Sequence, residues 1–257
     1  MTFIHNINPT LIDLGPLEIR YYGLIYVIGI FIIYFFLKYL IKMRKLEIDK
    51  ESITDYIVYV GIGLILGARL FYVIAYNLPY YLSNPLSIIA VWEGGMSFHG
   101  GLFGAIIGGV LWCRKKKINP WKMADLTVIP IGLVLFLGRI GNFINGELVG
   151  RIISLPWGVN FNNEMADGER IFRHPSQLYE SAKNLVIFVL LFSLKEKKWK
   201  DGRFFWLFIM LYGLFRFAIE FVRAPDPQIG LIYGLTLGQY FTFPMFLIGW
   251  YMFLKWK

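Results

Sequence analysis

The chain has 257 residues, of which 57% are hydrophobic and 18% aromatic, and its formal net charge is +9. Soluble domains are about 45–50% apolar, so this composition excludes an ordinary soluble enzyme and indicates a polytopic membrane protein. The single cysteine, Cys113, excludes an internal disulfide. No Lys or Arg precedes Arg20, so we expect no cleavable signal peptide.

Long apolar runs without two-residue alternation predict helices, because backbone groups in lipid must find partners within the membrane. We predict an all-α fold with seven transmembrane helices in one integral-membrane domain, 1–257. The stretch Pro85–Trp92 is too short to cross and is expected to lie at the interface. The predicted spans are Tyr21–Ile41, Ile53–Tyr76, Met96–Cys113, Met123–Ile144, Gln177–Leu194, Phe204–Val222 and Leu235–Leu254.

The distribution of basic residues orients the predicted bundle. Lys and Arg are concentrated after spans one, three and five and at the C-terminus. The positive-inside rule makes these segments cytoplasmic, so we expect the N-terminus outside and the C-terminus inside. Topology therefore explains the net charge without a nucleic-acid partner. Residues 145–176 form the one sizeable outer loop and are expected to be a small extracytoplasmic cap.

Nine basic residues fall on the outer side or within spans, and eight of them are arginine. Arginine presents a planar fork that binds phosphate or carboxylate through two hydrogen bonds. This bias predicts an anion-binding site that faces outward. The nine are Arg20, Arg69, Arg139, Arg151, Arg170, Arg173, Lys183, Arg216 and Arg223.

Span six carries a polar stripe, because Tyr212, Arg216, Glu220 and Arg223 are spaced to lie on one helix face. An Arg–Glu pair that neutralises itself near the membrane surface is the simpler explanation. The second arginine leaves net positive charge, however, and this favours an anion ligand. Each charge at mid-membrane would cost about 2.5–3.5 kcal/mol, which argues for a function.

Span four ends in "GRIGNFINGE", where Arg139 and Asn142 share a face with Gly138 and Gly141. Glycine lets a backbone or a ligand approach closely. Arg139 could simply extend toward water while the glycines pack helices. That alternative does not explain Asn142 and Glu147, so we predict a ligand site here.

His99 opens span three within the glycine-rich stretch "SFHGGLFGAIIGG". A histidine has an ordinary pKa of about 6.5 and can accept a proton near neutral pH. A lone histidine is more often structural, but the flanking glycines and the arginines expected at the same depth favour a role for His99. For His174, ordinary loop polarity is an equally good explanation. The three histidines lie too far apart in sequence to support a metal site.

Several motifs together resemble the prolipoprotein diacylglyceryl transferase family: "GRIGNFINGE", "WEGGMSFHGGL", "HPSQLYE" and "LGQ" occur in the family's order. The resemblance implies seven transmembrane helices in a bacterial cell membrane, with a site facing outward. It also implies transfer of the diacylglyceryl group of phosphatidylglycerol to the lipobox cysteine of a prolipoprotein, with release of glycerol phosphate. Glu93 stands where many members have aspartate.

The resemblance also assigns residues. The family's essential histidine and arginine fall on His99 and Arg139, and its lipid-binding asparagine falls on Asn142. Further matches, in the first, fourth and sixth spans, are Tyr22, Glu147, Tyr212, Arg216 and Glu220.

The reaction itself suggests what these side chains do. A thiol needs a base to become a nucleophile, and His99 is the candidate. Arg139 and Arg216 would grip the phosphate, with Glu220 holding Arg216 in place and Arg223 and Tyr212 adding contacts to the lipid. Tyr22 is assigned to the catalytic residues because it matches the family's tyrosine at the start of span one. No cofactor or metal is required.

Two other classes of protein are compatible with an outward anion site. A transporter or lipid flippase would use the arginines as a vestibule, but the inner halves of the spans are apolar and offer no continuing path. A structural partner, such as a sensor or insertase subunit, would not need so many outward arginines and asparagines. Mass spectrometry of the products of a mixed assay would distinguish a transferase, a transporter or flippase, and a structural partner.

Overall fold

The computed structural model describes residues 3–15, 18–162, 164, 170–225 and 230–256. Lys257, the last residue of the basic C-terminal segment, lies outside this set, as do 163 and 165–169 of the predicted cap. The described chain is mostly helical, with helices α1 (Tyr21–Met43), α2 (Lys50–Tyr76), α3 (Leu78–Ser83), α4 (Phe98–Lys116), α5 (Pro120–Ile144), α6 (Ser176–Ser193), α7 (Arg203–Glu220) and α8 (Leu237–Lys255). The strands are β1 (Phe3–Ile4), β2 (Thr10–Asp13), β3 (Glu18–Arg20) and β4 (Val159–Asn160).

Seven of the described helices have 18 residues or more, and each overlaps one predicted span. Three of them, α1, α2 and α5, are both long and apolar enough to cross a membrane, with hydropathies of 2.4, 2.1 and 1.8. The other four carry glycines, polar residues or charges that lower their hydropathy. Mostly helical membrane character is therefore established, whereas crossing by all seven stays a prediction. The predicted interfacial stretch forms two short 3-10 helices, Pro85–Ile89 and Val91–Glu93.

The chain divides into two compact units, residues 1–36 with 124–257, and residues 37–123. In the first unit, α5 fixes the start of α7 through a side chain. The buried Asp125 carboxylate accepts hydrogen bonds from the Gly202 and Phe205 amides, both at 2.8 Å. These amides belong to the first turn of α7, whose donors have no partner within the helix. Ser181 links α6 to α5 by donating to the Phe136 carbonyl at 3.0 Å.

The second unit is built on a close contact between α2 and α4. Gly63 and Gly67 of α2 face Gly104 and Gly108 of α4, and a Cβ added at any of the four would overlap backbone atoms of the other helix. Small residues allow helix backbones to approach in this way when no larger side chain intervenes. We call these four residues the glycine contact.

The first unit contains two pairs of short strands, one of which reaches the predicted cap. β1 pairs in parallel with β4, and the backbone amide of His5 donates to the Asn160 carbonyl at 2.8 Å. The His5 imidazole, which is buried, contacts the Phe143 carbonyl through Nε2 at 2.7 Å. β2 and β3 form an antiparallel pair directly before α1. The N-terminal segment is thereby tied both to the cap and to the end of α5.

Candidate functional site

The end of α5 carries a chain of hydrogen bonds. Arg139 Nη1 donates to Asn142 Oδ1 at 3.3 Å, and Asn142 Nδ2 donates to Glu147 Oε1 at 2.7 Å. The amide of the buried Asn142 is therefore oriented by a cation on one side and an anion on the other. Glu147 itself is exposed. The spacing in "GRIGNFINGE" predicted that Arg139 and Asn142 share a face, and their hydrogen bond confirms it.

Glu180 of α6 lies at the centre of a buried ionic cluster, with its side chain only 1% exposed. Its Oε1 accepts a hydrogen bond from Arg216 Nη1 of α7. Its Oε2 accepts one from Lys183 Nζ at 2.7 Å and lies 3.8 Å from Arg139 Nε of α5. One carboxylate thus connects three helices.

The polar stripe of α7 continues this network. Arg216 Nη2 donates to Glu220 Oε1, so both terminal nitrogens of Arg216 face carboxylates. Arg223 Nε lies 3.9 Å from Glu220 Oε1, and Thr236 Oγ1 donates to Glu220 Oε2 at 3.1 Å. The predicted shared face of Arg216, Glu220 and Arg223 is confirmed by these contacts.

Tyr212, the first residue of the predicted stripe, contacts a cation of the preceding helix, α6, rather than a carboxylate. Lys183 Nζ lies 3.9 Å from the centroid of the Tyr212 ring. The face of an aromatic ring attracts a cation, most strongly where water is excluded. Tyr212 therefore helps to hold Lys183 in a place where water cannot solvate its charge.

We call Arg139, Glu180, Lys183, Arg216, Glu220 and Arg223 the charged cluster. Its named members are four cations and two carboxylates, and Glu147 is joined to it through Asn142. Buried charge is costly unless it is paired, so several cations gathered at one place favour an anionic ligand. The side chains of Arg139 and Arg223 are 20% and 19% exposed, which leaves them within reach of one.

Tyr22 of α1 lies beside the end of α5. A Cβ added at Gly141 would come within 2.9 Å of the Tyr22 ring, so the glycine makes room for it. The Tyr22 hydroxyl accepts a hydrogen bond from the Tyr26 hydroxyl at 3.1 Å. At Gly138, in contrast, an added Cβ would meet nothing within 4 Å.

His99 belongs to the second unit, where it is an exposed residue in the first turn of α4. Ser97 caps this helix, accepting a hydrogen bond from the Gly100 amide at 3.4 Å. The His99 ring makes an edge contact with Phe98, with 5.7 Å between ring centroids. Its role as a base stays a prediction.

His174 lies just before α6 in the first unit, with Nδ1 3.2 Å from the Tyr179 hydroxyl. Partial burial lowers the pKa of His174 below its ordinary value. Among the described residues, no group of three or more His, Cys, Asp or Glu side chains is placed to hold a metal ion.

Sequence reasoning missed Glu180 and the contacts of Lys183. Both lie in "QLYESAKN", where Gln177, Glu180, Ser181, Lys183 and Asn184 are all buried in a helix that is otherwise apolar. A signal was present, since Lys183 is the one lysine among the nine basic residues outside the segments predicted to be cytoplasmic. Its partner three residues earlier gives the i, i+3 spacing of a helical ion pair.

Comparison with known proteins identifies the family. The family model described as prolipoprotein diacylglyceryl transferase matches residues 9–255. A protein of Geobacter sulfurreducens is 47% identical over 97% of this chain and 95% of its own length. One from Rickettsia rickettsii is 48% identical, over 98% and 97%. One from Desulfotalea psychrophila is 45% identical, over 95% and 91%. All three are named phosphatidylglycerol–prolipoprotein diacylglyceryl transferase, and the chain belongs to the prolipoprotein diacylglyceryl transferase family.

Proposed function

We propose that this protein transfers the diacylglyceryl group of phosphatidylglycerol to the thiol of the lipobox cysteine in prolipoproteins. Glycerol phosphate is the second product, and the step begins bacterial lipoprotein maturation. The names of three relatives that match nearly the whole chain support the substrates. The observation in the structure that carries the proposal is the meeting of Arg139, Lys183 and Arg216, from three helices, in the charged cluster.

Each bond change in this transfer has a group to assist it. A carbon–sulfur bond forms at the glycerol carbon of the diacylglyceryl group, and the carbon–oxygen bond to phosphate breaks. The oxygen leaves with the electron pair, so negative charge grows on the phosphate. Donors aimed at that oxygen lower the barrier most effectively when they are fixed in advance. The thiol proton passes to the base, for which His99 is the candidate.

Arg139 is the first choice for the phosphate. Its Nε is 3.8 Å from the Glu180 carboxylate, whereas both terminal nitrogens of Arg216 already face carboxylates. Arg216 would then reach the phosphate by releasing one of these partners, and Glu220 and Arg223 would keep it in position. Asn142 and Glu147 offer an amide and a carboxylate to glycerol hydroxyls. Tyr22 lies beside Gly141 in the same stretch, and Tyr212 covers Lys183 of the charged cluster.

We further propose that all seven long helices cross the membrane, as one integral-membrane domain. The N-terminus and the cap, 145–176, would then face outward and the C-terminus the cytoplasm of a bacterial cell. The lysine-rich segments after the first, third and fifth of these helices support this orientation. Cysteine accessibility to an impermeant reagent at single introduced sites would test it.

The activity is tested with purified protein in detergent, phosphatidylglycerol and a lipobox peptide. We expect glycerol phosphate release together with a diacylglyceryl mass gain on the peptide, and neither with a Cys→Ser peptide. Lipid binding without release or mass gain, in folded protein, would overturn the proposal and favour a transport or receptor role.

Two variants test the assigned roles. Arg139→Lys keeps the charge but loses the planar fork, so we expect a large fall in rate. Arg20→Lys, in the exposed pair with Glu18, is the matched control and should keep the wild-type rate.

The transfer rate of His99→Ala should also fall. Its difference from the wild-type rate should narrow above about pH 8.5, because a free thiol ionises there without a base. Full activity of Arg139→Lys or His99→Ala would remove that residue from the mechanism.

A further inference from the structure

Lys183 is a buried lysine that the proposed chemistry leaves without a task. Its side chain is 3% exposed, its ammonium donates to Glu180 Oε2 at 2.7 Å, and the Tyr212 ring covers it at 3.9 Å. A buried ammonium is expensive to desolvate, so it is retained only where its partners compensate. Lys183 has both a carboxylate and an aromatic face, which fix its position closely.

The Glu180 oxygen that Lys183 holds is also the one nearest to Arg139. Glu180 Oε2 is 2.7 Å from Lys183 Nζ and 3.8 Å from Arg139 Nε, while Oε1 is committed to Arg216. Two cations on different helices therefore compete for one carboxylate oxygen, and Lys183 has the shorter contact. A carboxylate and a phosphate bind the same arginine fork, so whatever restrains Glu180 affects how Arg139 can bind a phosphate.

We propose that Lys183 is a positioning residue that holds Glu180 away from Arg139 and so keeps the Arg139 fork available for the phosphate of the donor lipid. The inference rests on the proposed function and deepens it. Lys183 itself makes no contact with the lipid in this arrangement. Without the Lys183 ammonium, Glu180 Oε2 turns to Arg139 and occupies its guanidinium in an internal salt bridge.

The cost of losing Lys183 appears in lipid binding. At saturating lipid the phosphate displaces Glu180 from Arg139, and the bound site is then the same as in the wild type. A change that weakens the binding of substrate and of transition state equally raises KM and leaves kcat unchanged. We expect Lys183→Met to raise KM for phosphatidylglycerol about tenfold, the scale of one charge-assisted hydrogen bond. KM for the peptide and kcat should stay at wild-type values.

Four variants separate this from a structural role. Lys183→Met is measured alone and with Glu180→Gln, beside Glu180→Gln alone and Lys183→Arg. Because Lys183 acts through Glu180, the effect of Lys183→Met should vanish in the Glu180→Gln background. It is measured as KM or, if loss of this buried carboxylate abolishes transfer, as the dissociation constant for phosphatidylglycerol. Lys183→Arg, which keeps a cation on Glu180, should keep KM near the wild-type value. Glu180 retains Arg216 in Lys183→Met, so this variant is expected to fold, and Lys183→Gln replaces it if it does not.

Inhibition by glycerol phosphate gives a second readout, because the product also presents its phosphate to Arg139. Its inhibition constant should rise in parallel with KM. An unchanged KM in Lys183→Met, or an equal rise with and without Glu180→Gln, would overturn the inference. A fall in kcat with constant KM would do the same. Absence of transfer by the wild-type protein would instead overturn the proposed function, so the two failures are distinct.

Discussion

The charged cluster and the glycine contact bring helices together by opposite means. In the cluster, long side chains from α5, α6 and α7 meet through ionic contacts that are almost wholly removed from water. In the glycine contact, α2 and α4 touch backbone to backbone without charge. Lipid offers little hydrophobic drive for helix association, so close backbone packing is an economical way to hold helices. Buried charge is costly in the same solvent, and its presence is therefore evidence of function.

Glu220→Gln should have the largest effect. The substitution leaves Arg216 and Arg223 with one carboxylate fewer, and removing one partner of a buried pair costs about 3–5 kcal/mol. We expect a matching loss of stability in detergent, measured by thermal or denaturant unfolding, and loss of transfer. Glu18→Gln is the control, because its pair with Arg20 is exposed and worth little. Equal losses in the two variants would mean that burial does not set the energetics of the cluster.

The glycine contact can be tested with two alanines two residues apart on α2. A Cβ at Gly63 would overlap the Gly104 carbonyl, whereas a Cβ at Gly61 would meet nothing within 4 Å. Gly63→Ala should therefore lose about 1–3 kcal/mol through overpacking, and Gly61→Ala should lose nothing. Unfolding of both variants in detergent gives the comparison. Equal stability would show that the close approach contributes nothing.

Thr236 connects the cluster to the start of α8 and should give a smaller effect. Its hydroxyl accepts from the Gln239 amide as part of a capping box and donates to Glu220 at 3.1 Å. Thr236→Val removes both contacts, at about 2 kcal/mol. Thr242→Val removes a hydroxyl that bonds only within its own helix, to the Gly238 carbonyl, and should cost less in the same unfolding assay. If Thr236→Val lost less stability than Thr242→Val, the contact between Thr236 and the charged cluster would contribute nothing to stability.

The smallest effect concerns His174, in the segment between β4 and α6. Burial lowers the pKa of His174, so the folded protein binds fewer protons than the unfolded chain below about pH 6.5. Stability should therefore fall as the pH drops through 6.5 toward the folded-state pKa. His174→Gln should lose this slope and match the wild type above pH 7, as followed by melting temperature against pH. An unchanged slope would assign the pH dependence to other groups.

Local patterns in the sequence predicted much of the fold. Apolar runs located all seven long helices, and helical spacing placed Arg216 with Glu220 and Arg139 with Asn142. Contacts between distant segments were not predictable in this way. Glu180 meets Arg216 across 36 residues of sequence, and no spacing rule connects them. The same limit applies to Asp125, which caps a helix that begins far along the chain. Such partners are set by packing between helices, which one sequence does not reveal.

The pairing of β1 with β4 has a consequence for the order of biosynthesis. Phe3 and Ile4 are synthesised before α1, yet their partners Val159 and Asn160 follow only after α5. A long closed loop carries an entropic cost that early contacts cannot offset. Strand β1 must therefore wait until α1 to α5 have been synthesised, and its pairing with β4 forms late. A nascent chain arrested before Val159 would contain α1 to α5 but lack this pairing, so formation of the pair reports that synthesis has passed Asn160.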